Sequence, residues 1–120
     1  MATILVVDDS NSLRQLVAAT LEGAAHKVTQ AKDGADGLQA AQTGRFDLVI
    51  SDVNMPVMDG LTMVRKLRAQ AASKHIPILI LTTEMDPVKR KEARDAGATG
   101  WIVKPFNPDQ LLATVRKVLD

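Results

Sequence analysis

The chain has 120 residues, a length typical of one domain, and it contains no cysteine. Hydrophobic residues make up 46% and charged residues 24%, which is typical of a globular chain and excludes a disordered or fibrous one. Fifteen basic and fourteen acidic residues leave a formal charge of +1, so the composition predicts no attraction to nucleic acid or to an anionic membrane. The lack of cysteine excludes disulfides, thiolate metal sites and cysteine nucleophiles.

The amino terminus lacks the features of a targeting segment. A short apolar run within residues 1–7 is followed at once by Asp8 and Asp9. A secretory segment needs a basic flank and a longer apolar stretch, and a membrane span needs about 20 apolar residues. We therefore expect a cytoplasmic protein without a membrane partner.

Five short apolar segments, typical of β-strands, recur along the chain. They are Ile4–Val7, His26–Ala31, Leu48–Ile50, Ile78–Leu81 and Ile102–Val103 behind Trp101. Continuous apolar runs are typical of parallel strands that are covered on both faces. The segment His26–Ala31 mixes polar and apolar residues, which favours an edge strand.

Five segments with helical spacing lie between and after these strands. The first has apolar residues at Leu13, Leu16, Val17 and Leu21, with Asp9, Ser10 or Asn11 as its N-cap. The others are Gly34–Gln42, Leu61–Leu67 entered through Asp59–Gly60, Pro87–Ala96 between Asp86 and Gly97, and Leu111–Leu119 opened by Asn107–Pro108. The fourth helix has a small apolar face and many basic residues, so we expect it to be the most movable.

This alternation predicts one compact α/β domain over residues 1–120. Parallel strands joined by helices cross over in the right-handed sense, which places helices on both faces of an open sheet. No repeat, linker or low-complexity segment interrupts the pattern.

Polar residues follow four of the predicted strands. They are Asp8–Asp9, Ser51–Asp52, Thr82–Thr83 and Lys104–Pro105. Alone, each could be a helix cap or a turn residue. In an open α/β sheet, however, ligands bind outside the carboxyl ends of the strands, so these residues are expected to meet.

Three carboxylates in one crevice favour a bound cation. Like charges about 5 Å apart repel by ~3 kcal/mol at an effective dielectric constant near 20. An all-oxygen site suits Mg²⁺ or Mn²⁺, and Lys104 and Thr82 could contact phosphoryl oxygens. The pattern therefore predicts phosphoryl transfer onto a carboxylate, with Asp52 as the acceptor and the pair Asp8–Asp9 as metal ligands.

The same residues carry a resemblance to a known family. The segments Val7–Ser10, Asp52–Gly60, Leu81–Thr83 and Lys104–Phe106 resemble the motifs of response-regulator receiver domains, and in particular of the single-domain chemotaxis group. The resemblance runs from about Thr3 to Leu119. It implies a doubly wound, flavodoxin-like three-layer sandwich with strand order 2-1-3-4-5.

The resemblance also implies roles for individual residues. Asp52 accepts a phosphoryl group from a histidine kinase. Asp8, Asp9, Asp52 and the backbone carbonyl of Asn54 hold Mg²⁺, with Mn²⁺ as a substitute. Lys104 binds the phosphoryl group and precedes a cis peptide bond to Pro105.

Further implications concern switching and output. Thr82 moves toward the phosphoryl group, and Asn54 and Glu84 influence dephosphorylation. The fourth helix, fifth strand and fifth helix form the output face of a monomer, which binds a protein target such as the flagellar motor switch. A phosphate sink or an adaptor is the alternative role, and we expect no effector domain beside the domain at residues 1–120.

Trp101 departs from the family pattern. Relatives usually have tyrosine or phenylalanine there, and that ring turns inward when the residue equivalent to Thr82 shifts. The resemblance thus assigns Trp101 to the switch with Thr82, although its larger indole, crowded further by Thr83, fits the inward pocket less well. The alternative is a bulky strand residue that covers the fifth helix.

Other function classes lack a required feature. An aspartate-nucleophile phosphatase needs a second acid two residues after the nucleophile, where this chain has Asn54. His26 and His75 precede strands and so lie at the rim opposite the carboxylates, and no Walker pattern is present. The basic residues of the third and fourth helices are interpreted as solvated faces. We therefore expect no enzyme activity beyond self-catalysed phosphotransfer and autodephosphorylation.

Overall fold

The computed structural model describes all residues from Met1 to Asp120. Five strands and five α-helices alternate along the chain. In order they are β1 Thr3–Val7, α1 Asn11–Gly23, β2 Lys27–Ala31, α2 Gly34–Thr43, β3 Leu48–Ser51, α3 Gly60–Arg68, β4 Ile78–Thr82, α4 Pro87–Ala96, β5 Gly100–Val103 and α5 Pro108–Leu119. A short 3₁₀ turn at Ala71–Ser73, which the sequence analysis did not predict, lies between α3 and β4.

The strands form one parallel sheet in the order β2-β1-β3-β4-β5. The predicted fold class and strand order are therefore confirmed. Val7 lies beside Ala31 and Ser51 in the sheet, and Thr82 lies beside Val103. This register brings the residues that follow β1, β3 and β5 to the same edge. No helix is both long and apolar enough to span a membrane.

Alternate side chains of the strands enter two separate apolar clusters, one on each face of the sheet. Leu5 and Val7 belong to a cluster that α2, α3 and α4 cover. Ile4 and Val6 belong to the other, which α1 and α5 cover. Because side chains alternate between the two faces of a strand, an uninterrupted apolar run is buried on both.

Side-chain caps set the helix starts that the sequence predicted. The caps, each accepting a hydrogen bond from a backbone N–H inside its helix, are Ser10, Asp33, Asp59, Asp86 and Asn107. Ser10 is thus the N-cap of α1 among the three candidates. Leu16 differs from its predicted place on the apolar face, because 56% of it is exposed and the buried stripe runs through Val17, Ala18 and Leu21.

Candidate functional site

Two carboxylates and one ammonium group meet at the carboxyl edge of the sheet. Asp8 follows β1, Asp52 follows β3, and Lys104 follows β5. The Lys104 Nζ lies 2.8 Å from the Asp8 Oδ2 and 2.8 Å from the Asp52 Oδ2. Asp8 is only 4% exposed and Asp52 only 8%, so these charges are largely removed from water. Strand order thus joins residues that lie far apart in the sequence.

Asp9 completes an acidic cluster with these two carboxylates. One oxygen from each of Asp8, Asp9 and Asp52 lies within 4.8 Å of the others. Backbone amides hold the buried pair, since Ser10 N–H donates to the Asp8 Oδ1 at 2.8 Å and Val53 N–H donates to the Asp52 Oδ1 at 2.6 Å. Asp9 is exposed, and it therefore presents its oxygens at the mouth of the site.

The ionisation of Lys104 reflects two opposing effects. Burial alone lowers the pKa of this ammonium group, because it disfavours the charged form. The hydrogen bonds and negative charges of Asp52 and Asp8 outweigh burial, and the pKa of Lys104 is raised above 10.5. Lys104 is therefore a permanent cation at neutral pH.

The cluster has the chemistry of a site for a small, hard divalent cation. Its ligand atoms are carboxylate oxygens, which Mg²⁺ and Mn²⁺ prefer over nitrogen or sulfur. Three carboxylates and one ammonium leave a local charge of −2, which one divalent ion balances. The residues present therefore fit such an ion.

Thr82 ends β4 beside this cluster and is completely buried. Its Oγ1 accepts a hydrogen bond from Glu84 N–H at 3.1 Å, and its backbone oxygen accepts one from Lys104 N–H at 2.8 Å. The hydroxyl and the ammonium group are thus carried on neighbouring, bonded segments of backbone. The peptide bond between Lys104 and Pro105 is cis, which confirms that expectation.

The loop after Asp52 is packed tightly against the site. A Cβ on Gly60 would overlap the backbone oxygen of Asp52, and Gly60 N–H donates to the Val53 oxygen at 2.8 Å. Only glycine permits this approach, which holds the loop against the end of β3. Asn54 lies within the loop, is exposed, and donates its backbone N–H to the Asp52 Oδ1 at 3.3 Å.

Trp101 lies away from the acidic cluster, on the face that α4 covers. The interpretation that it covers the fifth helix is therefore wrong, because α5 packs on the other face of the sheet. It is half-buried, packs against the cluster of apolar residues beneath α3 and α4, and lines a cavity of about 410 Å³. Arg90, Lys91 and Arg94 of α4 line the same cavity. The structure therefore joins the indole to a basic helix face, and its proposed movement stays a prediction.

The two histidines lie at the opposite edge of the sheet. His26 precedes β2, is half-buried, and accepts a hydrogen bond from Ala2 N–H at its Nδ1 at 3.1 Å. His75 precedes β4 and is exposed. Neither is placed to act on a group bound at the acidic cluster.

Two arginines with structural contacts were missed by the sequence analysis. Arg14 reaches back from α1 to the backbone oxygen of Asp8 at 2.8 Å. Arg68 at the end of α3 donates to backbone oxygens that include those of Ile76 and Gly97, and burial lowers the pKa of its guanidinium. In the sequence, each looks like an ordinary basic residue on the polar face of a helix, so the neighbouring residues do not indicate its structural role.

Comparisons with known proteins agree with this geometry. Residues 4–116 match the family described as "Response regulator receiver domain". The chain is 39% identical over 118 residues to chemotaxis protein CheY-3 of Vibrio cholerae, covering 98% of this chain and 88% of that protein.

Solved structures are similar over nearly the whole chain. Chemotaxis protein CheY4 of Vibrio cholerae is 53% identical and superposes with a TM-score of 0.94, covering 98% of both chains. The receiver domain of the sensor histidine kinase PA1611 from Pseudomonas aeruginosa is 28% identical with a TM-score of 0.92, covering 98% of this chain and 97% of that one. That structure has a magnesium ion coordinated in its active-site cleft.

Proposed function

The chain belongs to the response-regulator receiver domain family and resembles the chemotaxis regulators within it, and from this premise we propose that it is a phosphorylation-switched chemotaxis regulator. Asp52 accepts a phosphoryl group from a histidine kinase in the presence of Mg²⁺. The observation that carries the proposal is the position of Lys104, whose Nζ lies 2.8 Å from the Asp52 Oδ2. A carboxylate with a fixed cation beside it has the charge balance that phosphoryl transfer needs.

The transfer exchanges one bond to phosphorus for another. An oxygen of Asp52 attacks the phosphorus of a phosphohistidine, the P–O bond forms, and the P–N bond to the imidazole breaks. The imidazole keeps the electron pair of that bond and takes up a proton from water. Lys104 neutralises charge on the phosphoryl oxygens, and the Thr82 hydroxyl donates a hydrogen bond to one of them after leaving Glu84 N–H.

The metal site lies on the same carboxylates. Asp8, Asp9, Asp52 and the backbone carbonyl of Asn54 would hold Mg²⁺, which stabilises negative charge on the transferring group. Support comes from the all-oxygen cluster within 4.8 Å and from the magnesium ion of the PA1611 receiver domain. Mn²⁺ has the same ligand preference and serves as a substitute in experiments.

Loss of the phosphoryl group is part of the same proposal. The backbone N–H groups of Asn54 and Glu84 donate to Asp52 and Thr82, and we infer that the side chains of these two residues influence how a water molecule reaches the aspartyl phosphate. The chain thereby catalyses its own phosphorylation and dephosphorylation without acting on other substrates.

The output of the switch is a change in affinity for a protein. We assign it to the face formed by α4, β5 and α5, with the flagellar motor switch as the target. Support comes from α4, which buries only Ala93 and is therefore weakly anchored. The same proposal places the protein in the cytoplasm together with the kinase.

Labelling by acetyl phosphate tests the proposal. With Mg²⁺ present, the wild-type chain is expected to gain the mass of one phosphoryl group, and Asp52→Asn is expected to gain none. Asp59→Asn is the matched control, because Asp59 is exposed and asparagine still caps α3. It should be labelled like the wild type. Labelling of Asp52→Asn, or none of the wild type, would refute the assignment of Asp52.

A further inference from the structure

Arg14 connects the loop after β1, which carries Asp8 and Asp9, to two other segments. It lies in the first turn of α1, is half-buried, and donates from one terminal nitrogen to the Asp8 backbone oxygen at 2.8 Å. Its other terminal nitrogen donates to the Asn11 Oδ1 at 2.6 Å, and its Nε donates to the Gln30 Oε1 at 3.1 Å. The planar guanidinium thus connects the loop, the start of α1 and the edge strand β2.

The bond to the Asp8 carbonyl restrains the peptide unit that carries the backbone nitrogen of Asp9. A peptide unit is planar, so fixing the carbonyl oxygen of Asp8 also fixes the N–Cα bond of Asp9. The buried carboxylate of Asp8 has its own supports in Ser10 N–H and Lys104. The carboxylate of Asp9 is exposed and has no hydrogen-bond donor of the protein to hold it. Its orientation therefore depends on the backbone that Arg14 holds.

We propose that Arg14 is a positioning residue of the metal site, which orients the Asp9 carboxylate through the Asp8–Asp9 peptide. This inference rests on the proposed function, because it assumes that the acidic cluster binds Mg²⁺. Residues that orient metal ligands commonly affect affinity by about 10–100-fold when they are replaced.

The direction in which Mg²⁺ affinity changes on replacing Arg14 distinguishes a positioning role from the effect of its charge. A guanidinium near a cation site repels a divalent ion, so removal of its charge alone would tighten Mg²⁺ binding. Loss of positioning weakens binding instead. A weaker variant therefore cannot be explained by the missing charge.

Titration calorimetry with Mg²⁺ alone tests the inference without any phosphoryl donor. Arg14→Met is expected to raise the Mg²⁺ dissociation constant by about tenfold. Arg14→Lys retains the charge but has no planar fork to bridge Asp8, Asn11 and Gln30, so it is expected to bind weakly as well. Arg65→Met is the matched control, since Arg65 is an exposed residue of α3, and it should bind like the wild type.

Repeating the titration in an Asp9→Asn variant tests whether Arg14 acts through Asp9. Asp9→Asn removes the ligand that Arg14 orients, so adding Arg14→Met to that variant should not weaken Mg²⁺ binding further. Unfolding in EDTA, measured in both backgrounds, reports any purely structural loss separately. If Arg14→Met weakens Mg²⁺ binding equally in the wild type and in the Asp9→Asn variant, the proposal that Arg14 acts through Asp9 is wrong.

The possible failures are distinguishable. A wild-type chain that does not bind millimolar Mg²⁺ contradicts the proposed function. A wild-type chain that binds Mg²⁺, together with an Arg14→Met or Arg14→Lys variant that binds as tightly or more tightly, overturns the role of Arg14 alone.

Discussion

Lys104 lies between two buried carboxylates, and the folded state needs its positive charge to balance theirs. The side chains of Lys104, Asp8 and Asp52 are each exposed by 10% or less. An ion pair of this kind is not a strong source of stability, because removing the charges from water offsets much of their attraction. Removal of one partner is costly, however, since the other charges stay buried. The arrangement is thus better explained by the proposed chemistry at Asp52 than by stability of the fold.

Replacement of Lys104 should destabilise the fold in the absence of Mg²⁺. Lys104→Met leaves two buried carboxylates facing each other, and we expect a loss of about 3 kcal/mol in the free energy of unfolding. Lys91→Met is the control, because Lys91 pairs with Asp95 at 3.0 Å on an exposed surface. Such pairs contribute only about 0.3–0.5 kcal/mol. Urea unfolding in EDTA measures both losses, and equal losses would contradict the description of Lys104 as an essential buried cation.

The difference in the free energy of unfolding between the wild type and Lys104→Met has a defined pH dependence. The pKa of Lys104 is raised above 10.5 in the folded state. The contribution of Lys104 to the free energy of unfolding is therefore fully present below its pKa in the unfolded chain, and it is lost as the pH rises through its pKa in the folded chain. The difference between the wild type and Lys104→Met should therefore stay constant from about pH 7 to the ordinary lysine pKa and shrink only above it. A difference that shrank near neutral pH would show that another group is responsible.

The meeting of Asp8, Asp52 and Lys104 was predictable because it follows from a general property of parallel sheets. Residues after successive parallel strands lie at one edge, so their positions in the sequence specify their proximity. The contacts of Arg14 and Arg68 were not predictable in this way. Arg68 donates to backbone oxygens, which every residue carries, and only the folded loops show which of them are left to accept. Arg14 joins one backbone oxygen of the loop after β1 to side chains of α1 and β2, and only the fold brings these three segments together.

Helix α4 differs from α3 in how it is attached to the sheet. Five residues of α3 are buried, whereas α4 buries only Ala93. The carboxyl end of α4 has an additional attachment, because the Arg68 guanidinium donates to the Gly97 oxygen at 2.8 and 3.1 Å. The end of α4 far from Asp52 is therefore held, and any movement of the helix is expected to be largest at its amino end.

Gly97 should be sensitive to substitution because its backbone is left-handed. It caps α4 with φ at 114°, and an added Cβ would contact the Arg68 side chain. We expect Gly97→Ala to lower the free energy of unfolding by about 1–2 kcal/mol. Gly23→Ala at the end of α1 is the control, since no atom lies within 4 Å of its added Cβ. It should be neutral or slightly stabilising, and equal urea midpoints for the two variants would contradict this account of the cap.

The boundaries of the elements were predictable where caps mark them. Asp86–Pro87 and Gly97 specify both ends of α4, and the structure places the helix at Pro87–Ala96. The 3₁₀ turn at Ala71–Ser73 has no such signal, because a single turn has no periodicity. The exposure of Leu16 was missed for another reason. Only Val17, Ala18 and Leu21 of α1 are buried, and helical spacing alone does not give the width of that stripe.

At the scale of the whole molecule, the sheet connects the acidic edge to the α4 face. Thr82 lies two residues along β4 from Ile80, and Ile80 lies beside Trp101 in the sheet. The Thr82 backbone oxygen also accepts from Lys104 N–H, which follows β5. A change at Thr82 therefore acts on two strands that are already bonded to each other. We therefore expect occupancy of the site to change the surroundings of the cavity beside Trp101.

Fluorescence of Trp101, the only tryptophan, reports on this connection. Beryllium fluoride with Mg²⁺ imitates a phosphoryl group on Asp52, and we expect it to change the emission of the half-buried indole as α4 shifts. The Asp52→Asn variant should give no change under the same conditions, which separates occupancy of the site from effects of the salts. An unchanged wild-type spectrum, with binding verified by calorimetry, would mean that the α4 face does not respond to Asp52. We would then assign the output to the loops that border Asp52 itself, because they lie nearest to the added charge.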